Sequence, residues 1–544
     1  MKFWHRQYSR MNFLPTMKSL LIVSCMFCFL SSTIYFRNRK LKWWKQDVSD
    51  TLSNTTVAQP SKLQLEINRI FNQINQTFPK TTVNIKEKTT SAKNSKVFLR
   101  NPKSSYCVGD HLIVQVEMFD YNGNKKTYGG DYLRARMFTP EFGAGSSGKI
   151  EDFQNGTYHV HFTLFWEGKI DISIFIIHPS EASSALWRFR NQWHGYIDHL
   201  GKFTRHQEVQ EAECGFELDK TKELCEYKDQ RDEEYFYCVK PQNFNCESLT
   251  DMKSWGRHDK TLCTEFEHSL FNASNIRVEI PKDFGTISVI SCNNSVTEVK
   301  EKCTFGMKLE YPSGYVMKDV WYPKTCSMLK YDNLEELDTC LKWKFIYLFG
   351  DSTLRQWIVY FKDHIKTLTQ FHLYEDNWAH QIFHLDLKRN MKITWKRHTY
   401  PFITTSYQSW KEERTISREI DLIRGDQRTV IVLNIGVHFR AYPIYHFIKR
   451  LLNIRSAIER LFLRSPQTKV IIKTENTGEM KKNFETMSDF HASIHYSIME
   501  IIFTDLTVGF VNGWDMTNAF DSNAIHPAET VIRNEVQMLM TYIC

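Results

Sequence analysis

The chain has 544 residues, of which 42% are hydrophobic, 24% charged and 14% aromatic. That length exceeds what one hydrophobic core supports, and the composition excludes a disordered or low-complexity protein, so two or three globular domains are expected. Seventy Lys and Arg against 62 Asp and Glu leave a formal charge of only +8, spread thinly except near the N-terminus, which argues against nucleic-acid binding.

The first segment with a clear character is LLIVSCMFCFLSSTIYF, Leu20 to Phe36, which contains no charge. Lys2, Arg6, Arg10 and Lys18 precede it, and Arg37, Arg39 and Lys40 follow. It fits an uncleaved signal anchor with residues 1–19 in the cytoplasm; a signal peptide cut after Thr33 is the alternative. Either route delivers the bulk of the chain to the secretory lumen, as a Golgi type II membrane protein or as a secreted one. Five N-x-S/T sequons, at Asn54, Asn75, Asn155, Asn272 and Asn293, agree with that address. So do the cysteines. Ten lie between Cys107 and Cys340, and Cys544 is the last residue. The cluster Cys214, Cys225, Cys238, Cys246 and Cys263 has no C-x-x-C pair, so it reads as a disulfide framework and not as a zinc site. Eleven is odd, which leaves one thiol free or in an intermolecular bond.

Residues 37–95 are polar and read as a stem or linker, with one amphipathic patch at Leu63 to Phe71. Between 96 and 180 short strands alternate. Leu112, Val114, Val116 and Met118 share one face and stop at the turn Asp120-Tyr-Asn-Gly123; Tyr158, Val160, Phe162 and Leu164 repeat the pattern. This spacing predicts a β-sandwich of immunoglobulin or filamin type. Residues 181–340 predict a cysteine-rich connector, with a helical stretch in SALWRFRNQW. From 341 to 544 apolar runs alternate with helical patterns: FIYLFG, TLRQWIVYFKDHI, TVIVLNIG, YHFIKRLLNIRSAIERLF, KVIIKTEN, DFHASIHYSIMEIIF, VGFVNGW and a last helix. Strand–helix alternation predicts a mainly parallel sheet covered on both faces, with its site at the carboxyl ends of the strands.

Three pieces lie at such ends. Ser352 follows the first strand in Gly350-Asp351-Ser352 and opens a helix, where its hydroxyl can act as a nucleophile and helix amides can face an oxyanion. The bland alternative is that Asp351 or Ser352 only caps the helix. Asn434-Ile-Gly436-Val-His438 ends another strand; an Asn amide there can donate to an oxyanion, and Gly436 admits close backbone approach. A turn Asn and a satisfied His are the alternative. His526, just before Pro527 and the final helix, can serve as general base. HLDLKRN and HFRAYPIYH offer His at no spacing that suits a metal, so no metal site is expected.

GDSTLRQW, LNIGVH and HPAETVIRNEV resemble the PC-esterase branch of the GDS(L)/SGNH hydrolases, a branch that includes plant polysaccharide acetyltransferases and the sialate O-acetyltransferase catalytic domain. Y-C-V-G-D at 106–110, G-G-D at 129–131, N-G-T-Y at 155–158 and HPSEA at 178–182 resemble a neurexophilin-type sandwich. Nearly all of the lumenal chain is thus similar to the neurexophilin and PC-esterase domain family. The resemblance implies an α/β three-layer SGNH-hydrolase-like domain at the C-terminus. It implies Ser352 as nucleophile, His526 as base and then acid, and an oxyanion hole from the Ser352 N–H, Asn434 and Gly436. Arg355 and His438 would face substrate.

One departure stands out. Where relatives carry an acid three residues before the His, this chain has Asn523, with Asp521 or Asp515 as stand-ins. The implied function is a lumenal O-acyltransferase or esterase acting on glycans, with sialic acid or mucin-type O-acetylation the expected case. It would use an acetyl donor such as acetyl-CoA as co-substrate and no bound cofactor. The alternative is a catalytically degenerate glycoprotein acting as a cell-surface receptor ligand or in adhesion.

Overall fold

The computed structural model describes residues 59–79, 83–191, 197–256, 263–271, 276–292, 300–371, 380–411, 414–478 and 484–544. The apolar run at 20–36 and the sequons Asn54, Asn272 and Asn293 lie outside them. Residues 62–544 form one unit. It begins earlier than the expected stem allows: α1 (Lys62–Asn75) buries Ile67, Ile70 and Ile74. These three belong to the same apolar cluster as the C-terminal sheet, so the amphipathic patch is a packed helix and not part of a linker. Among the described residues, no helix is long and apolar enough to cross a membrane.

Period-two alternation then builds a sandwich. β1 (Lys96–Leu99), β2 (Tyr106–Cys107), β3 (His111–Glu117), β4 (Tyr132–Thr139), β5 (Ala144–Ser147), β6 (Lys149–Asp152), β7 (Thr157–Thr163) and β8 (Gly168–His178) follow in sequence. One sheet has the order β1-β3-β7-β6. Leu112, Val114 and Val116 of β3 pack with Tyr158, Val160 and Phe162 of β7 in a core shared with the second sheet. Next, α2 (Ser180–Asn191) forms where SALWRFRNQW predicts a helix.

The region expected to be a connector is no separate module. β9 (Ile197–Arg205), β10 (Glu208–Gly215), β11 (Leu224–Asp229), β12 (Glu234–Val239) and β13 (Leu249–Gly256) make five strands of a six-stranded sheet, completed by a strand from the last third of the chain. β14 (Val278–Glu279), β15 (Ile287–Ile290), β16 (Gly314–Met317) and β17 (Val320–Pro323) return to the sandwich, whose second sheet runs β17-β16-β5-β4-β8-β15-β2 with β14 on β8. The sandwich therefore extends well past residue 180. Strands this short carry too little alternation to be read from sequence. Five disulfides staple the molecule: Cys107–Cys292, Cys214–Cys238, Cys225–Cys246, Cys303–Cys326 and Cys340–Cys544. Cys263 is the odd thiol.

The last third contains β18 (Phe345–Gly350), α3 (Ser352–His364), β19 (Thr369–Phe371), β20 (Ile382–Asp386), β21 (Met391–Arg397) and β22 (Thr404–Ser409), which joins the sheet of β13. It continues with β23 (Thr429–Asn434), α4 (Ile444–Arg464), β24 (Lys469–Lys473), α5 (Asp489–Phe503), β25 (Gly509–Val511), α6 (Gly513–Ala519) and α7 (Glu529–Ile543). The sheet order is β19-β20-β21-β18-β23-β24-β25, parallel from β21 to β25. Numbered among themselves the parallel strands read 2-1-3-4-5, a doubly wound order that opens a crevice between the first and third. Both faces are covered: Ile431, Leu433 and Ile472 pack with α4 and α5, whereas Ile346, Leu348 and Val432 pack with α3 and α7.

Candidate active site

β18 and β23 are the first and third parallel strands, and Ser352 emerges just past their carboxyl ends. Gly350 pairs with Asn434, and a Cβ at Gly350 would lie 2.3 Å from the Asn434 carbonyl oxygen, so only glycine lets the two strands end side by side. Asp351, fully buried, is the N-cap of α3: its Oδ1 accepts from the Thr353 N–H at 2.9 Å and from the Thr353 hydroxyl at 2.7 Å. With the cap supplied by its neighbour, the Ser352 hydroxyl is left for another partner. That partner is His526 Nε2, at 2.7 Å. As the first residue of α3, Ser352 also carries a backbone N–H with no intrahelical acceptor.

Residues to which the sequence reading gave no role hold the histidine. Asn476 donates from Nδ2 to the Ile525 carbonyl at 3.1 Å, and Gln356 donates to the Pro527 carbonyl at 3.3 Å. Lys473, wholly buried at the end of β24, donates to Asn476 Oδ1 at 2.8 Å and pairs with buried Glu535 of α7 at 3.3 Å. Burial raises the Glu535 pKa, and Lys473 opposes the rise. The only sequence signal for this network was a run of polar residues, KTEN, directly after an apolar strand. Burial lowers the His526 pKa; Asp351 counters this, while Arg355 and Lys473 add to it. The ring is therefore neutral near pH 7, as a general base must be.

Several expected roles fall elsewhere. Asn434 does not offer its amide to the serine: Nδ2 donates to the Lys473 and Thr474 carbonyls at 3.1 and 3.3 Å, and Oδ1 accepts from the Thr353 hydroxyl at 3.3 Å. It ties β23 to β24 and to the start of α3. At Gly436 a Cβ would sit 2.1 Å from Glu475 Oε1, so this glycine makes room for a buried carboxylate and not for a ligand. His438 Nδ1 accepts from the Ile403 N–H at 3.1 Å. Burial lowers its pKa to about 4, and Asp351 and His526 are among the charges that it feels. The neutral ring thus carries its proton on Nε2, a buried donor without a hydrogen-bond partner.

None of the three candidate partners of the imidazole, Asn523, Asp521 and Asp515, is hydrogen-bonded to His526. Asn523 Oδ1 accepts from Arg134 of the sandwich at 3.2 Å. Asp521 is exposed and faces Arg136 and Arg277 at 3.8 and 3.5 Å. Asp515 is buried; it accepts from the Ser147 hydroxyl at 2.5 Å and the Ser313 hydroxyl at 2.7 Å. The site is a dyad, and among the described residues no carboxylate is hydrogen-bonded to its histidine.

Ser352 and His526 open onto a cleft of about 380 Å³ between α3 and α7, walled by Arg355, Val359, Tyr360 and Ile532. Arg355 is half-buried, and burial lowers its pKa. A larger cavity, about 900 Å³, lies between Tyr132 and Arg134 of the sandwich and Tyr311, Tyr496 and Trp514; neither member of the dyad lines it. Two sets of metal-type donors converge away from the dyad, each with ligand atoms within 4.8 Å: Glu151, His159 and His161, and Cys263, His268 and Glu485. Of the described sequons, Asn155 is exposed in a turn, whereas Asn75 accepts from the Trp187 indole N–H at 2.8 Å.

Residues 321–544 match the family described as "NXPE family member 4-like, C-terminal domain", and residues 80–271 match "Neurexophilin". The chain is a neurexophilin/NXPE-type family member. Among solved structures, one titled "Crystal structure of the Lin-41 filamin domain" is similar to 16% of this NXPE-type chain and 82% of its own, at 18% identity and a TM-score of 0.14, too partial to bear on the fold. The NXPE-type C-terminal domain is PC-esterase-related. Its neurexophilin-type half and five disulfides assign the NXPE-type protein to the secretory pathway.

Proposed function

We propose that this NXPE-type protein transfers acyl groups, in the first instance acetyl, onto or off glycan hydroxyls in the secretory lumen, through a covalent intermediate on Ser352 in an SGNH-hydrolase-like domain. The observation that carries this reading is the 2.7 Å contact between Ser352 Oγ and His526 Nε2 at the crevice of the parallel sheet. In the first half-reaction the hydroxyl attacks the carbonyl carbon of an acetyl donor, a thioester such as acetyl-CoA or an ester, and His526 takes the proton. The oxyanion is met by the Ser352 N–H and the N-terminus of α3, with the unpartnered Nε2–H of His438 as the available side-chain donor in place of Asn434. The bond to the leaving group breaks, and the leaving group receives the proton from His526. In the second half a sugar hydroxyl attacks the acetyl-serine, His526 accepts its proton, and Ser352 regains it. Water as acceptor makes the same cycle an esterase.

The missing third member argues for a slower catalyst, since no carboxylate steadies the imidazolium. Arg355 on the cleft wall suits an acidic substrate such as a sialylated glycan. Cells with and without the chain, and cells with Ser352→Ala, should differ in the acetyl content of their glycans by mass spectrometry. Equal content in all three would overturn the glycan reading. The second reading, a receptor ligand or adhesion protein, is favoured by one observation only: residues 80–271 match the neurexophilin family.

A further inference from the structure

Alternation along β4 turns Leu133, Ala135 and Met137 into the sandwich core and Arg134 and Arg136 outward, toward the C-terminal domain. Arg134 is only 10% exposed and binds three separate elements there. Nη1 donates to Asp489 Oδ2 at 3.1 Å, at the start of α5. Nε and Nη2 donate to Asn518 Oδ1 at 3.1 and 3.0 Å, in α6. Nη1 also donates to Asn523 Oδ1 at 3.2 Å, in the loop that ends at His526. Around it, Arg136 donates to the Ala519 carbonyl at 2.9 Å, and Asn518 Nδ2 returns a bond to Ser147 of β5 at 2.8 Å. Two strands of the sandwich thus grip the segment leading to the histidine, and the residue at the expected acid position is turned away from the imidazole and toward an arginine.

We propose that Arg134 is a positioning residue for the Ser352–His526 dyad: by holding Asn523 it fixes the loop that carries His526, so the sandwich is a working part of the site. The inference rests on the acyl-enzyme reading. Its chemistry is plain. A histidine without a carboxylate behind it must be aimed by its loop, and three residues before it that loop is tied, through the Asn523 side chain, to a guanidinium with fixed hydrogen-bond directions. Displacement of a reacting group by about 1 Å can cost on the order of 100-fold in rate.

The test uses the full chain, with a fluorophosphonate probe for the Ser352 hydroxyl and hydrogen exchange of residues 520–528 as a second readout. Arg134→Ala and Asn523→Ala are each expected to slow labelling by roughly 10- to 100-fold, with affinity for the probe unchanged and exchange of the loop faster. Their double variant should be no slower than the worse single one, because both break one link. Arg134→Lys, which keeps the charge beside Asp489 but not the fork, should fall between. Lys149→Ala, elsewhere on the sandwich, should match wild type. Normal labelling and unchanged exchange in both single variants would overturn the proposal. If Arg134→Ala fails to fold, Asn523→Ala decides alone. A wild type that does not label at Ser352 overturns the acyl-enzyme reading instead, and the exchange data then decide whether Arg134 orders the loop at all.

Discussion

Ser352 and His526 are 174 positions apart in sequence, yet their side chains meet because one opens α3 and the other closes the loop before α7. The sequence made both legible, since each stands where an apolar pattern breaks at a strand or helix end. It could not show which way an amide points. The sequence places Asn434 and Asn523 beside the site, but Asn434 bonds the neighbouring strand end and Asn523 bonds an arginine from 389 positions away. Two outcomes follow at this scale. Because burial lowers the His526 pKa, acylation should fall only when pH drops through a value below the ordinary histidine figure of about 6.5. Arg355→Gln removes a cation that opposes protonation, so the pKa should rise and the acidic limb of a pH–rate profile should move to higher pH. An unmoved limb would exclude Arg355 from the field at His526. Asn523→Asp should give no gain in rate, since the new carboxylate meets Arg134 and not the imidazole; a large gain in single-turnover acylation would show that the loop can turn.

Among elements, those with long periodic patterns were readable: β3 and β7 by alternation, α3, α4 and α5 by helical spacing. The fully apolar stretch of β23 reads as a strand buried on both faces, and it lies in the middle of the parallel sheet. What escaped was anything whose partner is distant. β14 to β17 are two to four residues long: β14 and β15 are completed by β8, and the β16–β17 pair reaches the sheet through β5. Helix α1 had the right amphipathic pattern but sits in polar sequence, so its core partner, α4, could not be seen. Ile70 of α1 is wholly buried in that contact. Ile70→Ala should cost about 2–5 kcal/mol, measured by denaturant unfolding, without changing the chemistry at Ser352. A cost near zero would return residues 62–75 to the status of a linker.

For the whole molecule, the sequence points to the secretory pathway but does not show how the sandwich and the α/β domain interlock. Cysteine count and placement argued for disulfides; the pairing Cys340–Cys544 closes a span of 204 positions around the entire α/β domain and ties its last helix to its beginning. Replacing both by Ser should lower stability by about 2–5 kcal/mol, seen as a lower Tm with a normal fold in circular dichroism at room temperature. An unchanged Tm would show that α7 is held by packing alone. The same interlocking makes the sandwich inseparable from the loop that carries His526, which no division of the chain at residues 180 and 340 anticipates.

Incubating the full chain with p-nitrophenyl acetate and mapping the adduct by peptide mass spectrometry tests the dyad most directly. A working Ser352–His526 pair leaves one acetyl group on the peptide that contains Ser352, absent in Ser352→Ala and formed far more slowly in His526→Ala. An unmodified Ser352 in folded wild-type protein, with ester turnover equal to that of Ser352→Ala, would contradict acyl transfer and leave a protein that binds without reacting.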